Sequence, residues 1–104
     1  MRYQIGVDGG ASKTECILVD ARGRVAGRRV AAGCNPNAVG GEEARRILTE
    51  ALQALVQPGP RGRRRAIATT LLCMAGSRAF WQEFARDLRG FGRVRAVDDS
   101  LPVL

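Results

Sequence analysis

The first part of the chain alternates apolar and polar residues in a pattern typical of β-strands. Residues 3–7 alternate and then meet Asp8-Gly9-Gly10, where glycine permits backbone angles that a strand does not use. A second apolar run spans residues 15–20, and the turn at 20–23 leads into a third over residues 25–30. The pattern therefore predicts three antiparallel strands.

The rest of the chain alternates helical and strand-like segments. The first predicted helix has Glu42 and Glu43 in its first turn and ends at Pro58. Residues 66–74 form a short, nearly continuous apolar run, which predicts a buried central strand. Ser77 is an expected N-cap for a second helix ending near Gly90, and residues 94–97 predict a last strand. The first helix is indicated by apolar residues at i, i+3 and i+4 spacing, namely Ala44, Ile47, Leu48, Ala51, Leu52, Leu55 and Val56. The second carries an aromatic stripe of Phe80, Trp81 and Phe84, interpreted as core packing.

The predicted order of elements is β-β-β-α-β-α-β, a meander followed by crossover units. Such crossovers bring the later strands parallel to the first, which gives a mixed five-stranded α/β sheet. This order matches a ribonuclease H-like half-domain. We expect residues 1–104 to form one domain of this kind, without an internal boundary.

Composition and charge limit the classes of partner and the cellular compartment that we expect for this protein. The formal charge of +7 favours phosphate ligands, but the arginines are scattered and the run at 61–65 follows Pro58-Gly59-Pro60, so it is interpreted as a loop. A nucleic-acid partner is therefore not expected. Three cysteines without CxxC spacing indicate a reducing compartment. With neither a signal-peptide pattern nor a membrane-length apolar stretch, the sequence predicts a cytoplasmic protein without a membrane partner.

Candidate chemistry gathers where the parallel strands end. The first strand ends at Asp8, the buried strand at Ala75-Gly76 and the last at Asp98-Asp99. In open α/β sheets, ligands bind at the carboxyl ends of the strands. We therefore expect these residues to converge on one site.

The turn after the first strand suits phosphate. Gly9, Gly10 and Ala11 let backbone N–H groups approach phosphate oxygens, and the next three residues are Ser12, Lys13 and Thr14. These offer two hydroxyl donors and a positive charge, while Asp8 offers a ligand for magnesium. The spacing is not that of a Walker A loop. The alternative interpretation is a plain hairpin that starts with Asp-Gly.

Acidic and amide side chains complete the set of candidates. Asp99 is placed to accept a proton from an attacking substrate hydroxyl, although Asp-Asp-Ser is also an ordinary helix start. Asn35 and Asn37 offer hydrogen bonds to sugar hydroxyls, although asparagine is also a good turn residue. The residues alone leave both choices open.

Four segments together resemble one family. The string Gly6-Val7-Asp8-Gly9-Gly10-Ala11-Ser12-Lys13-Thr14-Glu15 is similar to the first phosphate motif of the N-acetylglucosamine kinase and BadF/BadG/BcrA/BcrD ATPase family. Three later segments resemble that family's next landmarks, in the same order: Asn35-Pro36-Asn37-Ala38-Val39-Gly40, Met74-Ala75-Gly76 and Val97-Asp98-Asp99-Ser100. The resemblance covers the whole chain, with Ala11-Ser12 in place of the commoner Gly-Thr.

The resemblance implies an actin-like ATPase built from two ribonuclease H-like lobes, with ATP, Mg²⁺ and a sugar in the cleft between them. It implies that Asp8 and the loop 9–14 bind the phosphates and the metal. Asn35 and Gly76 then contact the sugar, and Asp99 activates its 6-hydroxyl. N-acetylglucosamine or a related amino sugar is the implied substrate. We expect the chain to be a truncated N-terminal lobe, inactive by itself because the second lobe is missing; homodimer formation stays open.

Two other functions fit parts of the sequence. An ATPase activator of a 2-hydroxyacyl-CoA dehydratase or benzoyl-CoA reductase system shares the phosphate loop, but it needs cysteines placed for an interfacial iron–sulfur cluster. Cys16, Cys34 and Cys73 lack that arrangement. A ribonuclease H-like nuclease would need a third inward acid beside Asp8 and Asp99, and none is evident.

Overall fold

The computed structural model describes residues 2–57 and 64–98. Within these ranges the order of elements is that expected from the sequence, with one additional short helix. The strands are β1 (Arg2–Gly9), β2 (Lys13–Val19), β3 (Val25–Ala32), β4 (Ala66–Met74) and β5 (Arg93–Asp98). The helices are α1 (Pro36–Val39), α2 (Gly41–Leu55) and α3 (Arg78–Asp87).

The five strands form one mixed sheet in the order β3-β2-β1-β4-β5. The pairs β1–β2 and β2–β3 are antiparallel, while β4 is parallel to both β1 and β5. The parallel strands β1, β4 and β5 therefore end at the same edge of the sheet. The predicted meander followed by parallel crossovers is confirmed.

The core lies on one face of the sheet, beneath α2 and α3. Ile5 and Val7 of β1 are 2% and 3% exposed and belong to one cluster with the buried faces of both helices. The predicted aromatic packing is present in α3, where Trp81 is 1% exposed and lies edge-on to Phe84 at 5.5 Å between ring centroids. Burying these apolar side chains is the main force that holds the helices to the sheet.

The opposite face of the sheet is not covered by any element among residues 2–57 and 64–98. Leu71, at the centre of β4, is 43% exposed, and a side chain built at Gly6 of β1 would contact nothing within 4 Å. The prediction of a buried strand over residues 66–74 therefore holds for one face only: Thr70, Leu72 and Met74 are buried, whereas Ala66, Thr69 and Leu71 are exposed. The strand is interior to the sheet, but the described helices pack on one face only.

The connection after β3 contains the short helix α1, which the sequence pattern did not predict. Asn35 caps the short helix α1, because its Oδ1 accepts a hydrogen bond of 2.9 Å from the backbone N–H of Asn37. Pro36 occupies the first turn, where its missing N–H costs nothing. Gly40, with φ of 89°, then redirects the chain into α2.

The two described arginines of the run, Arg64 and Arg65, both contact other parts of the protein. Arg64 lies over the ring of Phe91, with 5.0 Å from guanidinium carbon to ring centroid, and Arg65 donates a 3.3 Å hydrogen bond to the carbonyl of Leu55. Arg61 to Arg63 and the predicted helix end at Pro58 lie outside the described residues. In the part of the chain that the structure describes, no helix is long and apolar enough to cross a membrane.

Candidate functional site

The predicted phosphate loop is a tight turn between β1 and β2. Gly9 pairs with Thr14 across the two strands, and the N–H of Gly10 donates to the carbonyl of Lys13 at 2.9 Å. Ala11 and Ser12 form the exposed tip. Their backbone N–H groups have no hydrogen-bond partner among the described residues. Two such N–H groups at an exposed turn can donate hydrogen bonds to an anion such as a phosphate.

The side chains of the loop divide into two groups. Ser12 and Lys13 are exposed, so their hydroxyl and ammonium groups are available to a ligand. Thr14 is fully buried, and its Oγ1 donates to the carbonyl of Ala32 at 2.9 Å. The hydroxyl predicted at Thr14 as a phosphate donor is therefore already used inside the protein, where it ties β2 to β3.

Asp8 carries an exposed carboxylate beside the loop. It lies directly opposite Glu15 in the antiparallel pair of β1 and β2, where two like charges would repel each other. Arg28 relieves this repulsion by donating from Nε to Glu15 Oε2 at 2.9 Å, with a further contact from Nη2. The hydrogen bonds from Arg28 hold the pKa of the Glu15 carboxyl below its usual range. Asp8 has no ion-pair partner within residues 2–57 and 64–98.

This arrangement suits a magnesium ion that keeps several waters better than a metal ion that is enclosed by protein side chains. The described residues contain no group of three or more Cys, Asp or Glu side chains able to enclose an ion. Magnesium commonly keeps several waters and takes one or two carboxylates together with the phosphates of a nucleotide. Asp8 is exposed near the end of β1, before the loop, and offers one carboxylate of the kind that such a site uses.

The turn after β4 lies against the same edge. The backbone N–H of Ala75 donates to the carbonyl of Gly9 at 2.7 Å, which joins this turn to the phosphate loop. Gly76 follows with φ of 99°, a left-handed conformation that disfavours a side chain. The position of a Cβ on Gly76 would lie 2.7 Å from Asn35 Oδ1. The predicted substrate residues Asn35 and Gly76 are therefore brought together.

Asn35 is partly committed to local structure. Its Oδ1 caps α1, as described above, so the turn-residue interpretation is correct for that oxygen. The Nδ2 group has no partner among the described residues and remains a donor for a ligand. One asparagine can thus hold the α1 turn and still face the neighbouring site.

The last strand also leads to this edge. Asp98 is the final residue of β5, and its backbone lies beside Met74 in the parallel pair with β4. Asp99, the predicted catalytic acid, lies outside the described residues. Strand β5 itself ends at the edge shared with Asp8 and Gly76.

Two buried cysteines lie behind the loop. Burial raises the pKa of the Cys16 thiol to about 12, with smaller contributions from Cys34 and Glu15. Burial also raises the pKa of Cys34, against a smaller opposite effect of its hydrogen bond with Thr14. Both thiols are therefore protonated and unreactive at neutral pH, in agreement with a packing role.

Two residues support the site in ways that were not predicted from the sequence, although Met74 belongs to the quoted segment Met74-Ala75-Gly76. Met74 packs its side chain directly on Gly9, where any Cβ would overlap it. Gly33 packs against the backbone of Ala11. A glycine that follows a strand does signal close backbone approach, but the sequence does not tell which backbone it approaches.

Comparison with known proteins identifies the class of fold. The chain superposes on the solved structure of a protein from Chromobacterium violaceum described as an N-acetylglucosamine kinase, with a TM-score of 0.67 and 25% sequence identity. The match covers 95% of this chain and 35% of that chain. The fold is thus the ribonuclease H-like lobe of actin-like ATPases, as the sequence predicts.

The family follows from a second comparison. The model of the BadF/BadG/BcrA/BcrD ATPase family matches residues 5–88, and the chain belongs to that family. The matched range includes the phosphate loop, Asn35 and Gly76. No curated protein matches the chain significantly.

Proposed function

We propose that this chain is the N-terminal lobe of an ATP-dependent sugar kinase. The observation that carries the proposal is the junction of two turns: Ala75 N–H bonds to the Gly9 carbonyl at 2.7 Å, and the next residue, Gly76, lies against Asn35. A phosphate-binding turn and a polar turn that suits a sugar therefore share one edge. Phosphoryl transfer needs this proximity of donor and acceptor.

Each residue has a role in the proposed reaction. The N–H groups of Ala11 and Ser12, with Lys13, bind the phosphates, and Asp8 binds magnesium directly or through water. Magnesium, when bound, neutralises charge that develops on the transferred phosphoryl group. Gly9, Gly10 and Thr14 shape the loop through their backbone, and none of them offers a side chain to the ligand.

The acceptor side uses the neighbouring turn. Asn35 Nδ2 donates to a sugar hydroxyl, and Gly76 leaves room for the sugar because it has no side chain. Asp99 accepts the proton of the attacking hydroxyl. The acceptor is the 6-hydroxyl of N-acetylglucosamine or a related amino sugar, a proposal supported by the description of the matched structure. The adenosine site and the closing face of the cleft are proposed to belong to a second lobe.

Nucleotide binding can be tested on the 104-residue chain by NMR titration with ATP, in the presence and absence of Mg²⁺. Asp8→Asn is expected to remove the gain in affinity that magnesium gives, because the amide is a poor magnesium ligand. Asp87→Asn, an exposed acid on α3 with 63% of its side chain accessible, is the matched control and should retain that gain. Identical magnesium dependence in both variants would argue against Asp8 as the ligand.

The chemical step requires a protein that contains both lobes. In a coupled assay with a panel of sugars, we expect ADP release to depend on an amino sugar, and Asp99→Asn to abolish turnover while ATP binding stays intact. Sugar-independent turnover would contradict the kinase proposal. The activator alternative is disfavoured because Cys16 and Cys34 are 0% and 1% exposed, out of reach of an interfacial cluster.

A further inference from the structure

The phosphate loop is supported from behind by the end of β3 and the residues that follow it. We call residues 32–35 the backing segment. Its first residue, Ala32, accepts the hydrogen bond from the Thr14 hydroxyl, and Cys34 Sγ lies 2.9 Å from the same hydroxyl. Thr14 is fully buried, so these contacts form a dry attachment between the loop and the backing segment.

Gly33 makes the closest approach to the loop. A Cβ on Gly33 would overlap the carbonyl oxygen of Ala11 and would lie 3.1 Å from the backbone nitrogen of Ser12. The φ of Gly33 is not in the left-handed region, so alanine can adopt its backbone angles. Glycine is therefore needed at this position because a Cβ would clash with the Ala11 carbonyl, and not because of its backbone angles.

The atoms that Gly33 touches belong to the peptide group between Ala11 and Ser12, one of the two assigned to phosphate. Ala11 and Ser12 carry the two N–H groups that have no partner among the described residues. Because a peptide group is planar, displacing the Ala11 carbonyl also rotates the N–H of Ser12. A side chain at position 33 would thus re-aim a phosphate donor without touching the ligand.

The backing segment also reaches the other half of the site. Gly9 is confined between the Met74 side chain and Cys34 Sγ, which would lie 3.4 Å from a Cβ at that glycine. The segment ends at Asn35, which contacts the Gly76 turn. One stretch of chain therefore holds both turns in place.

We propose that Gly33 is a positioning residue, which sets the direction of the Ser12 N–H group through direct contact with the Ala11–Ser12 peptide group. This inference rests on the proposed function, since it concerns the same phosphate loop. Removing one hydrogen bond to a charged phosphate is expected to weaken binding about tenfold or more.

The test compares Gly33→Ala with Gly27→Ala in the 104-residue chain. Gly27 lies in β3, and a Cβ there would meet Leu55 and Leu18 at 3.4 Å or more, which is ordinary contact. We expect Gly33→Ala, but not Gly27→Ala, to shift the NMR amide signals of Ala11 and Ser12 and to weaken Mg-ATP binding about tenfold. Thermal unfolding of both variants separates this effect from a general loss of stability.

The possible results lead to different conclusions. Equal Mg-ATP affinities in Gly33→Ala and Gly27→Ala would overturn the positioning role. If Gly33→Ala does not fold, Thr14→Val and Thr14→Ser replace it. Only serine keeps the hydroxyl that holds Ala32, the residue before Gly33, against the loop. Equal Mg-ATP affinities in these two variants would also overturn the positioning role.

If the unsubstituted chain shows no loop shifts with Mg-ATP, the proposed function fails. The amide signals of Ala11 and Ser12 without nucleotide then decide whether Gly33 sets the shape of the loop.

Discussion

The crowding at Gly76 gives a quantitative prediction. Alanine at this position meets two costs: a positive φ of 99° and overlap with Asn35 Oδ1 and Pro36 Cδ, which would lie 2.7 and 2.9 Å from its Cβ. Left-handed backbone costs an L-residue about 1–2 kcal/mol. Overpacking adds about 1–3 kcal/mol. Gly76→Ala should therefore destabilise the chain by about 2–5 kcal/mol in total.

A second glycine separates the cost of the contact with Asn35 and Pro36 from the cost of the left-handed backbone. Gly23, in the β2–β3 turn, has φ of 82° with nothing within 4 Å of its Cβ position, so Gly23→Ala carries the strain alone. Urea unfolding followed by far-UV circular dichroism measures both free energies of unfolding. The Gly76 variant should unfold at a urea concentration lower by about 1 M than the Gly23 variant. Equal midpoints would refute the claim that Asn35 and Pro36 press on this turn.

Two further predictions concern titration. The folded pKa of Cys16, about 12, lies above the ordinary value of 9.0, so the stability from its buried neutral thiol is full below pH 9 and is lost as pH rises toward 12. Unfolding free energies measured from pH 8 to 11 should fall more steeply in the unsubstituted chain than in Cys16→Ala. Arg28→Ala should raise the pKa of the Glu15 carboxyl toward its usual value of 4.5, because the largest cause of its lowering is the hydrogen bond from Arg28. The carboxyl carbon shift of Glu15 in an NMR pH titration measures it.

Each titration has its own control. For Cys16, parallel pH profiles in the two proteins would contradict a protonated buried thiol. For Glu15, Arg29→Ala is the matched control, because Arg29 is the next residue on β3 and pairs with the buried Cys16, on the face of the sheet opposite Glu15. An unchanged Glu15 pKa in Arg28→Ala would show that the ion pair does not persist in solution.

The fold was predictable because its main signals are periodic and local. Helix α2 follows from apolar spacing over residues 44–56, and the parallel arrangement follows from the β-α-β order alone. The β2–β3 turn was equally readable: Asp20 accepts hydrogen bonds from the N–H groups of Arg22 and Arg24 at 2.9 and 3.0 Å. Short aspartate-led turns of this kind depend on neighbouring residues only.

The parts that escaped prediction depend on contacts between distant residues. A four-residue helix such as α1 is too short for a periodic pattern, and its start depends on how Asn35 meets Asn37. Thr14 has a hydroxyl in a phosphate-like motif, yet its partner Ala32 lies 18 residues away along the chain. The one-sided burial of β4 depends on where the helices pack. Sequence pattern therefore identified the loop, while packing decided which of its groups face outward.

Trp81 provides an intrinsic fluorescence signal for the turn after β4, which carries Gly76. It is the single tryptophan of the chain, and its indole Nε1 donates to the carbonyl of Ala75 at 2.9 Å, one residue before Gly76. Indole emission responds to changes in hydrogen bonding and to local dipoles. Movement of this turn on ligand binding would change that emission, so a sugar or nucleotide titration can be followed without labels, and the signal would come from the site itself.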